Sequence, residues 1–164
     1  MDFTVRGASL ADVTSLARAH VAPWKEAYAH LLPVDFFTDD LIAQRERMWT
    51  TILTRANPDD VVRIAESNGT LAGFAMAGPA LPSEHEPPRS RQLYMLYTYA
   101  RHYGSGLGQA LFDAVAGTEP MMLWVAKENP RAIAFYQRNG FTCDGVEQID
   151  PGAPLITDAR MVRG

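Results

Sequence analysis

Two short runs hold residue types that could do chemistry. The first is Tyr103-Gly104-Ser105-Gly106-Leu107-Gly108, with glycine at every second position. Alternating glycines let the main chain approach a bound group closely and turn its N–H donors toward it. Residues 93–99 before the run read as an aromatic-rich strand, and Leu107, Ala110, Leu111, Ala114 and Val115 fall on one helical face after it. A loop that opens a helix adds the positive end of the helix dipole. The combination suits a pyrophosphate or a similar anion, and it equally describes a flexible strand-to-helix turn. The second run is Asn129-Pro130-Arg131-Ala132-Ile133-Ala134-Phe135-Tyr136-Gln137-Arg138-Asn139-Gly140-Phe141. Asn129 and Tyr136 stand about two helical turns apart, so an amide and a phenol point to nearly the same side. They could serve one ligand lying along the helix, or act only as an N-cap and a packed aromatic.

Other phosphate loops can be compared residue by residue. A P-loop ends in Gly-Lys-Ser/Thr, whereas Gln109 follows Gly108 here, so the phosphate lysine and the magnesium hydroxyl are both missing. A dinucleotide fold places its glycines after an early strand in a G-x-G-x-x-G pattern, with an acid about twenty residues on. The present run lies past mid-chain, and a full dinucleotide domain would not fit around it. Coenzyme A is the remaining common pyrophosphate ligand for so small a domain.

The elements that must position these runs can be read along the chain. Phe3 and Val5 suggest a short strand, and Ser9 with Asp12 forms a capping box. Leu10, Val13, Ala17, Val21 and Trp24 make a helical stripe that Pro23 should bend or break. Thr38, Asp39 and Asp40 start a second helix, with acids where the dipole favours them. Residues 61–65 and 71–77 read as strands joined by the hairpin signal Asn68-Gly69. Residues 79–91, with Pro82, Pro87 and Pro88, read as a loop. Residues 121–125 form a strand, and residues 129–139 a helix capped by Asn129 with Gly140 past its end. Residues 141–146 and 159–163 close the chain as strands. The order describes a mixed α/β (α+β) single domain rather than a regular doubly wound one.

Composition narrows the classes further. A chain of 164 residues can bury a core without disulfides or metal, and one domain over residues 1–164 is expected. Apolar residues are 47% and charged residues 21%, an ordinary globular balance that excludes collagen, coiled coil and disorder. With 15 Lys and Arg against 19 Asp and Glu, the formal charge of −4 argues against nucleic-acid and anionic-membrane partners. The single cysteine, Cys143, forms no intrachain disulfide and reads as a small buried hydrophobe. His20, His30, His85 and His102 have no metal-ligand spacing, so no metal is expected. No apolar run has the length of a signal peptide or a membrane span, and a cytoplasmic protein is expected. Monomer and homodimer both stay open.

At the two runs the chain resembles the GNAT-type N-acetyltransferase family. Leu93-Tyr94-Met95-Leu96-Tyr97-Thr98 leading into Tyr103-Gly104-Ser105-Gly106-Leu107-Gly108-Gln109-Ala110-Leu111 is similar to its coenzyme-binding strand, loop and helix. Leu123-Trp124-Val125, Asn129, Ala132, Phe135-Tyr136 and Asn139-Gly140-Phe141 resemble its second coenzyme motif. Val5-Arg6, the helix through Trp24 and Tyr28, and Leu31-Leu32-Pro33 resemble a bacterial branch of the family. The resemblance implies a mixed central sheet with a splayed strand pair that admits coenzyme A, and helices on both faces. It implies transfer of acetyl from acetyl-coenzyme A, the cosubstrate, to an amine. Main-chain groups of Tyr103, Gly104, Ser105, Gly106, Leu107 and Gly108 would hold the pyrophosphate, and those near Tyr97 and Thr98 the pantetheine arm, together with Asn129. Tyr136 would stand beside the sulfur as the acid. Two departures are visible. Tyr103 stands where Arg or Gln is usual, and Gln92 where some members carry Glu, so the resemblance supplies no general base.

Base candidates from residue type are Glu84, His85 and Glu86 in the loop, Glu26 and His20 on the first helices, and His102. Trp24, Tyr28, Tyr94 and Tyr99 could line an acceptor pocket or simply pack. An acetyl-cysteine route lacks an adjacent His at Cys143, so direct transfer in a ternary complex is preferred. A catalytically altered acyl-coenzyme A sensor is the alternative to an enzyme.

Overall fold

A computed structural model describes residues 2–164, which pack as two compact units. One comprises the chain up to Ala77 together with Met95–Gly117; the other comprises Gly78–Tyr94 and Thr118–Gly164. Among the described residues there are seven strands and four α-helices. No helix among them is long and apolar enough to cross a membrane.

In the first unit, β1 (Thr4–Gly7) pairs antiparallel with β2 (Val61–Ser67), which pairs antiparallel with β3 (Thr70–Pro79). Asn68 and Gly69 make the β2–β3 turn with φ of 52° and 72°, the double left-handed geometry that a tight hairpin demands. Residues 71–78 of β3 are buried without alternation, as expected for a strand covered on both faces. Its neighbour β4 (Arg91–Thr98) is half-buried from Tyr94 onward. β3 and β4 approach closely where β3 carries Gly73. A Cβ there would lie 2.7 Å from the Tyr97 carbonyl oxygen, 2.9 Å from Thr98 Cγ2 and 3.1 Å from Leu107 Cδ2.

The helices of this unit start and stop where local chemistry dictates. Arg6 donates to both Asp12 carboxylate oxygens, at 3.0 and 2.8 Å, and to Glu66 at 2.8 Å. The Asp12 carboxylate also accepts from the Ser9 main chain at 2.8 Å. These bonds hold the Asp12 carboxyl below its ordinary value, Arg6 first. Beyond Asp12, α1 (Val13–Tyr28) continues through Pro23 instead of breaking there. A proline inside a helix costs about 3 kcal/mol. Burial of Leu16, Ala17, Ala19, Val21, Pro23 and Tyr28 on the packed side offsets it. The Thr38 hydroxyl accepts from Leu41 N–H at 3.4 Å to start α2 (Asp39–Arg55), and Ala56 ends it with φ of 46°. α3 (Leu107–Ala116) closes the unit.

Its interior is aromatic around one histidine. His20 is buried, with ring centroids at 5.5 Å from Tyr97, 5.6 Å from Phe74 and 6.0 Å from Trp49. Burial, with Arg45 as a lesser cause, pushes its pKa down to about 3.

In the second unit β4 pairs parallel with β5 (Met121–Ala126) at Gln92↔Met122 and Leu93↔Leu123. β5 pairs antiparallel with β7 (Ala153–Arg163) from Met121↔Arg163 to Ala126↔Asp158. β7 pairs antiparallel with β6 (Thr142–Asp150), and α4 (Pro130–Arg138) precedes that hairpin. The sheet is therefore mixed, as expected. The hairpin is longer than its sequence suggests. Residues 147–158 include Asp150, Pro151, Gly152 and Pro154, all poor in strand propensity, yet cross-strand pairing carries the ladder through Gln148↔Asp158 and Ile149↔Thr157. Cys143 is exposed, not buried, because β6 is the outermost strand of the order and offers one face to solvent.

Two stability tests follow from the first unit. Gly73→Ala inserts a methyl against backbone and should lower unfolding free energy by about 1–3 kcal/mol in chemical denaturation. His20 is neutral when folded, whereas the unfolded chain protonates it below pH 6.5, so stability should fall as pH drops from there toward 3. Wild type should lose about 3 kcal/mol relative to His20→Leu between pH 7 and pH 4, by denaturation at each pH; equal acid slopes would place His20 in solvent.

Candidate active site

The glycine run leaves β4 by a single 3-10 turn, Ala100–His102, and enters α3 at Leu107. Local bonds fix this path. Ala100 N–H donates to the Glu26 carboxylate at 2.8 Å, and Tyr99 N–H donates to the Ala72 carbonyl at 3.2 Å. Ser105 donates through its hydroxyl to the His102 carbonyl at 2.7 Å and accepts Leu107 N–H at 3.3 Å. Gly104 and Gly106 have φ of 77° and 85°, so an L side chain at either would be strained. Space around both is open where a Cβ would stand, and Gly106 is the N-cap of α3. The Leu107 side chain is fully buried and anchors the helix start. Of the six residues in the run, Ser105 and Leu107 therefore organise the loop internally, Tyr103 is 40% exposed, and the three glycines offer bare main chain.

The strand before the loop is braced from below. Trp24 Nε1 donates to the Tyr97 hydroxyl at 3.1 Å, and the Tyr97 ring packs edge-on against Phe74 at 5.5 Å. Thr98 ends the strand, its methyl under Gly73. Trp24 also meets Tyr28 at 5.0 Å and stacks on Phe36 at 6.2 Å, with Phe37 5.0 Å beyond. Phe36 and Phe37 extend this aromatic group; no helical period marks them, because they lie at the end of a short 3-10 turn, Val34–Phe36, and just after it.

In the second unit, Asn129 caps α4, its side-chain oxygen accepting Ala132 N–H at 3.0 Å. Pro130 occupies the first position, and Gly140 follows the helix with φ of 89°. Tyr136 is buried, its ring edge-on to Phe141 at 5.9 Å. Tyr94 donates through its hydroxyl to the Pro79 carbonyl. Gln92 is buried, and its side-chain oxygen accepts Leu81 N–H at 2.9 Å. Both residues thus pin the start of the proline-rich loop to β4.

The candidate bases separate by environment. Glu84, His85 and Glu86 are exposed on that loop. Glu26 is engaged by Ala100, and Tyr99 carries the Arg101 guanidinium 4.4 Å above its ring. His102 is buried, and burial followed by Arg101 lowers its pKa. Among the described residues no group of three His, Cys, Asp or Glu is arranged to hold a metal ion. One titratable residue was missed altogether. Asp158 is only 8% exposed on β7, and burial, then Asp150 and Glu128, pushes its carboxyl up to about 7. No local motif marks it, since only strand pairing brings Asp150 beside it.

Comparison with known proteins identifies the family. The acetyltransferase (GNAT) family model matches residues 20–141. YuaI, an uncharacterised N-acetyltransferase of Bacillus subtilis, is 31% identical over 140 residues, spanning 82% of this chain and 77% of that protein. A probable N-acetyltransferase of Mycobacterium tuberculosis is 27% identical over 150 residues, spanning 86% and 80%. The PaiA N-acetyltransferase of Thermoplasma acidophilum, solved in complex with coenzyme A, superposes with a TM-score of 0.75 over 99% of both chains. At 18% identity that likeness carries the fold. A family match spanning both the glycine loop and the Tyr136 helix decides the matter: the chain belongs to the GNAT acetyltransferase family and is an acyltransferase of that kind.

Proposed function

We propose that this chain, acting as a single acetyltransferase domain over residues 1–164, moves the acetyl group of acetyl-coenzyme A to a primary amine by direct attack in a ternary complex. The observation that carries the reading is the loop ahead of α3, where Gly104 and Gly106 hold left-handed φ and present main chain with open space where side chains would stand. Such a cradle fits a diphosphate, whose charge the N-terminus of a ten-residue helix favours. The half-burial of β4 from Tyr94 onward supports main-chain pairing of Tyr97 and Thr98 with the pantetheine arm, in the manner of an added strand. Asn129 is the further contact to that arm.

Bound acetyl-coenzyme A supplies the thioester; the protein's residues supply position, charge stabilisation and protons. A lysine-like amine is mostly protonated at pH 7, which costs about 4–5 kcal/mol before it can attack. Main-chain donors of β4 stabilise the oxyanion that develops on the acetyl carbonyl. Tyr136 gives its phenolic proton to the departing sulfur. Trp24 and Tyr28 of the first unit, and separately Tyr94 of the second, are the aromatic candidates for contact with the acceptor. Gln92 has a structural task, its side-chain oxygen accepting Leu81 N–H, so its lack of a carboxylate does not by itself point to lost catalysis.

Calorimetry with coenzyme A, ATP and NAD, paired with thiol release on a panel of primary amines, tests the reading. Binding of coenzyme A alone, with thiol released by at least one amine, is expected; tight coenzyme binding without turnover of any amine would favour a sensor instead. Tyr136→Phe should lower turnover about ten- to a thousandfold, the larger losses reaching the range of about 10²–10⁴ for acid catalysis, with coenzyme affinity kept. Unchanged turnover removes Tyr136 from the mechanism. Gly106→Val should weaken coenzyme binding more than about tenfold, since a branched side chain would stand where the diphosphate must approach; normal affinity in a folded variant contradicts the cradle.

A further inference from the structure

A half-covered aromatic surface of the first unit lies outside its packed core. Trp24 of α1 and Phe36 of the 3-10 turn Val34–Phe36 lie within 17° of parallel, with ring centroids 6.2 Å apart. Phe37 stands edge-on to Phe36 at 5.0 Å. All three rings are half-buried, whereas Trp49 and Phe74 of the same unit are fully buried. Val34, which opens the turn, stands fully in solvent. Contiguous apolar surface kept out of a core marks a binding site more often than chance.

The end of β4 separates this surface from the glycine loop. Successive residues of a strand point to opposite faces. Thr98 Cγ2 and Leu107 of α3 both stand close to Gly73, so that face carries α3 and the loop before it. Tyr97 and Phe74 take the other face, where their rings meet His20 of α1 at 5.5 and 5.6 Å. Phe74 also meets Trp49 of α2 at 5.2 Å. Trp24 Nε1 donates to the Tyr97 hydroxyl at 3.1 Å, so the aromatic surface adjoins this second face. A coenzyme with its diphosphate at the loop and its arm paired to the main chain of Tyr97 and Thr98 leaves this face of the strand to the acceptor.

The chemistry of the lining selects its occupant. Indole has one donor and no acceptor, and Trp24 uses that donor on Tyr97. Phe36 and Phe37 carry no polar atom. Such faces accept a stacked ring or a second ammonium. Each ring contact takes about 3.5–4.0 Å, so nothing fits between Trp24 and Phe36 at 6.2 Å. The two are offset neighbours that share one flat surface rather than the walls of an enclosure. Tyr28, edge-on to Trp24 at 5.0 Å, and Phe37, edge-on to Phe36, brace the two planes. Glu26, two residues beyond Trp24, holds Ala100 N–H at 2.8 Å and so is committed to the turn after β4 rather than to a ligand cation. A fixed, flat, apolar surface is matched by a flat ring.

We propose that the acceptor is a primary amine carried on a flat aromatic ring by a short alkyl spacer, its ring seated on Trp24 and Phe36 against Phe37. The proposal deepens the transferase reading above and rests on it. Trp24 attaches at the Tyr97 hydroxyl, a full side chain away from the β4 main chain that holds the arm. Ring and nitrogen are therefore joined through a spacer and not directly. Stacking on the aromatic surface fixes the ring, and the spacer carries the nitrogen along the Tyr97 side of the strand toward the thioester.

Thiol release by the full chain with phenethylamine, cyclohexylethylamine, ethylamine and diaminobutane tests the assignment. Phenethylamine should exceed ethylamine by about ten- to a hundredfold in kcat/KM, as burial of a ring requires. It should exceed cyclohexylethylamine, which is at least as apolar but not flat, by about two- to tenfold. Phe36→Leu keeps an apolar group and removes a ring face. It should bring the second ratio close to one through KM, with coenzyme affinity by calorimetry kept. A second readout needs no turnover. With coenzyme A bound, phenethylamine should shift the indole N–H resonance of Trp24, assigned by its loss in Trp24→Phe. Cyclohexylethylamine should shift it less, because only an aromatic ligand adds a ring current. Equal kcat/KM for the phenyl and cyclohexyl amines overturns the proposal, as does a phenyl preference kept in Phe36→Leu. A preference for diaminobutane also overturns it and makes the surface a seat for a cation. Thiol release with a still Trp24 resonance removes the ring seat and leaves the transferase reading standing. If no amine releases thiol while phenethylamine still moves that resonance, the transferase reading fails, and the acceptor role of the seat fails with it.

Discussion

The main chain must leave β4, turn once and start α3 while Gly104 and Gly106 hold left-handed φ with open space beside them, and several contacts of the first unit fix that path. The turn works because β3 comes close enough to support it. Gly73 allows this approach, since any side chain there would strike the Tyr97 carbonyl, the Thr98 methyl or Leu107. Below, Trp24 holds the Tyr97 hydroxyl while His20 and Phe74 pack on its ring. From the side, Glu26 takes the first N–H beyond the strand. Ser105 then uses its hydroxyl to close the turn, which spares the glycines from that work. A rigid surround with a bare centre is what an anion site built from main chain needs, because donors held in advance need not reorganise when charge arrives.

The two units bury titratable groups in opposite senses. His20 is kept neutral by an aromatic enclosure, so acid weakens the fold through it. Asp158 is held toward its protonated form by burial and then by Asp150 and Glu128, so rising pH weakens the fold through it. Between pH 3.8 and 6.5 the two linkages oppose each other and nearly cancel; below that window His20 weakens the fold further, and above it Asp158 does so until about pH 7. His20 sits inside a packed core beneath β4 and has a structural account. Asp158 faces other acids while Arg160 and Lys127 serve different carboxylates, and packing gives no account of it.

Features governed by near neighbours in the chain were legible in the sequence. Asn68-Gly69 turned as two left-handed residues must, Thr38 and Asn129 capped their helices, and the glycine loop lay between the strand and helix assigned to it. The second motif read correctly because Asn129, Pro130 and Gly140 are start and stop signals in their own right. Misreadings arose where distant contacts override local preference. Pro23 was expected to bend or break α1, and packing along the buried face keeps the helix unbroken through it. Cys143 looked like core, but an outermost strand exposes it. Residues 147–158 look like loop until β7 supplies partners. Asp158 fell in that stretch, so neither its burial nor its company could be inferred from spacing.

The proposed grip on a diphosphate rests most directly on the main chain of Gly104, Gly106 and Gly108, because the N–H groups of Tyr103, Ser105 and Leu107 already bond within the loop. Amide resonances of Gly104, Gly106 and Gly108, followed by nuclear magnetic resonance while coenzyme A is added, report on those donors directly. The account predicts that all three move downfield together and saturate with the same dissociation constant that calorimetry gives. Saturation of binding with these three amides unmoved would contradict it.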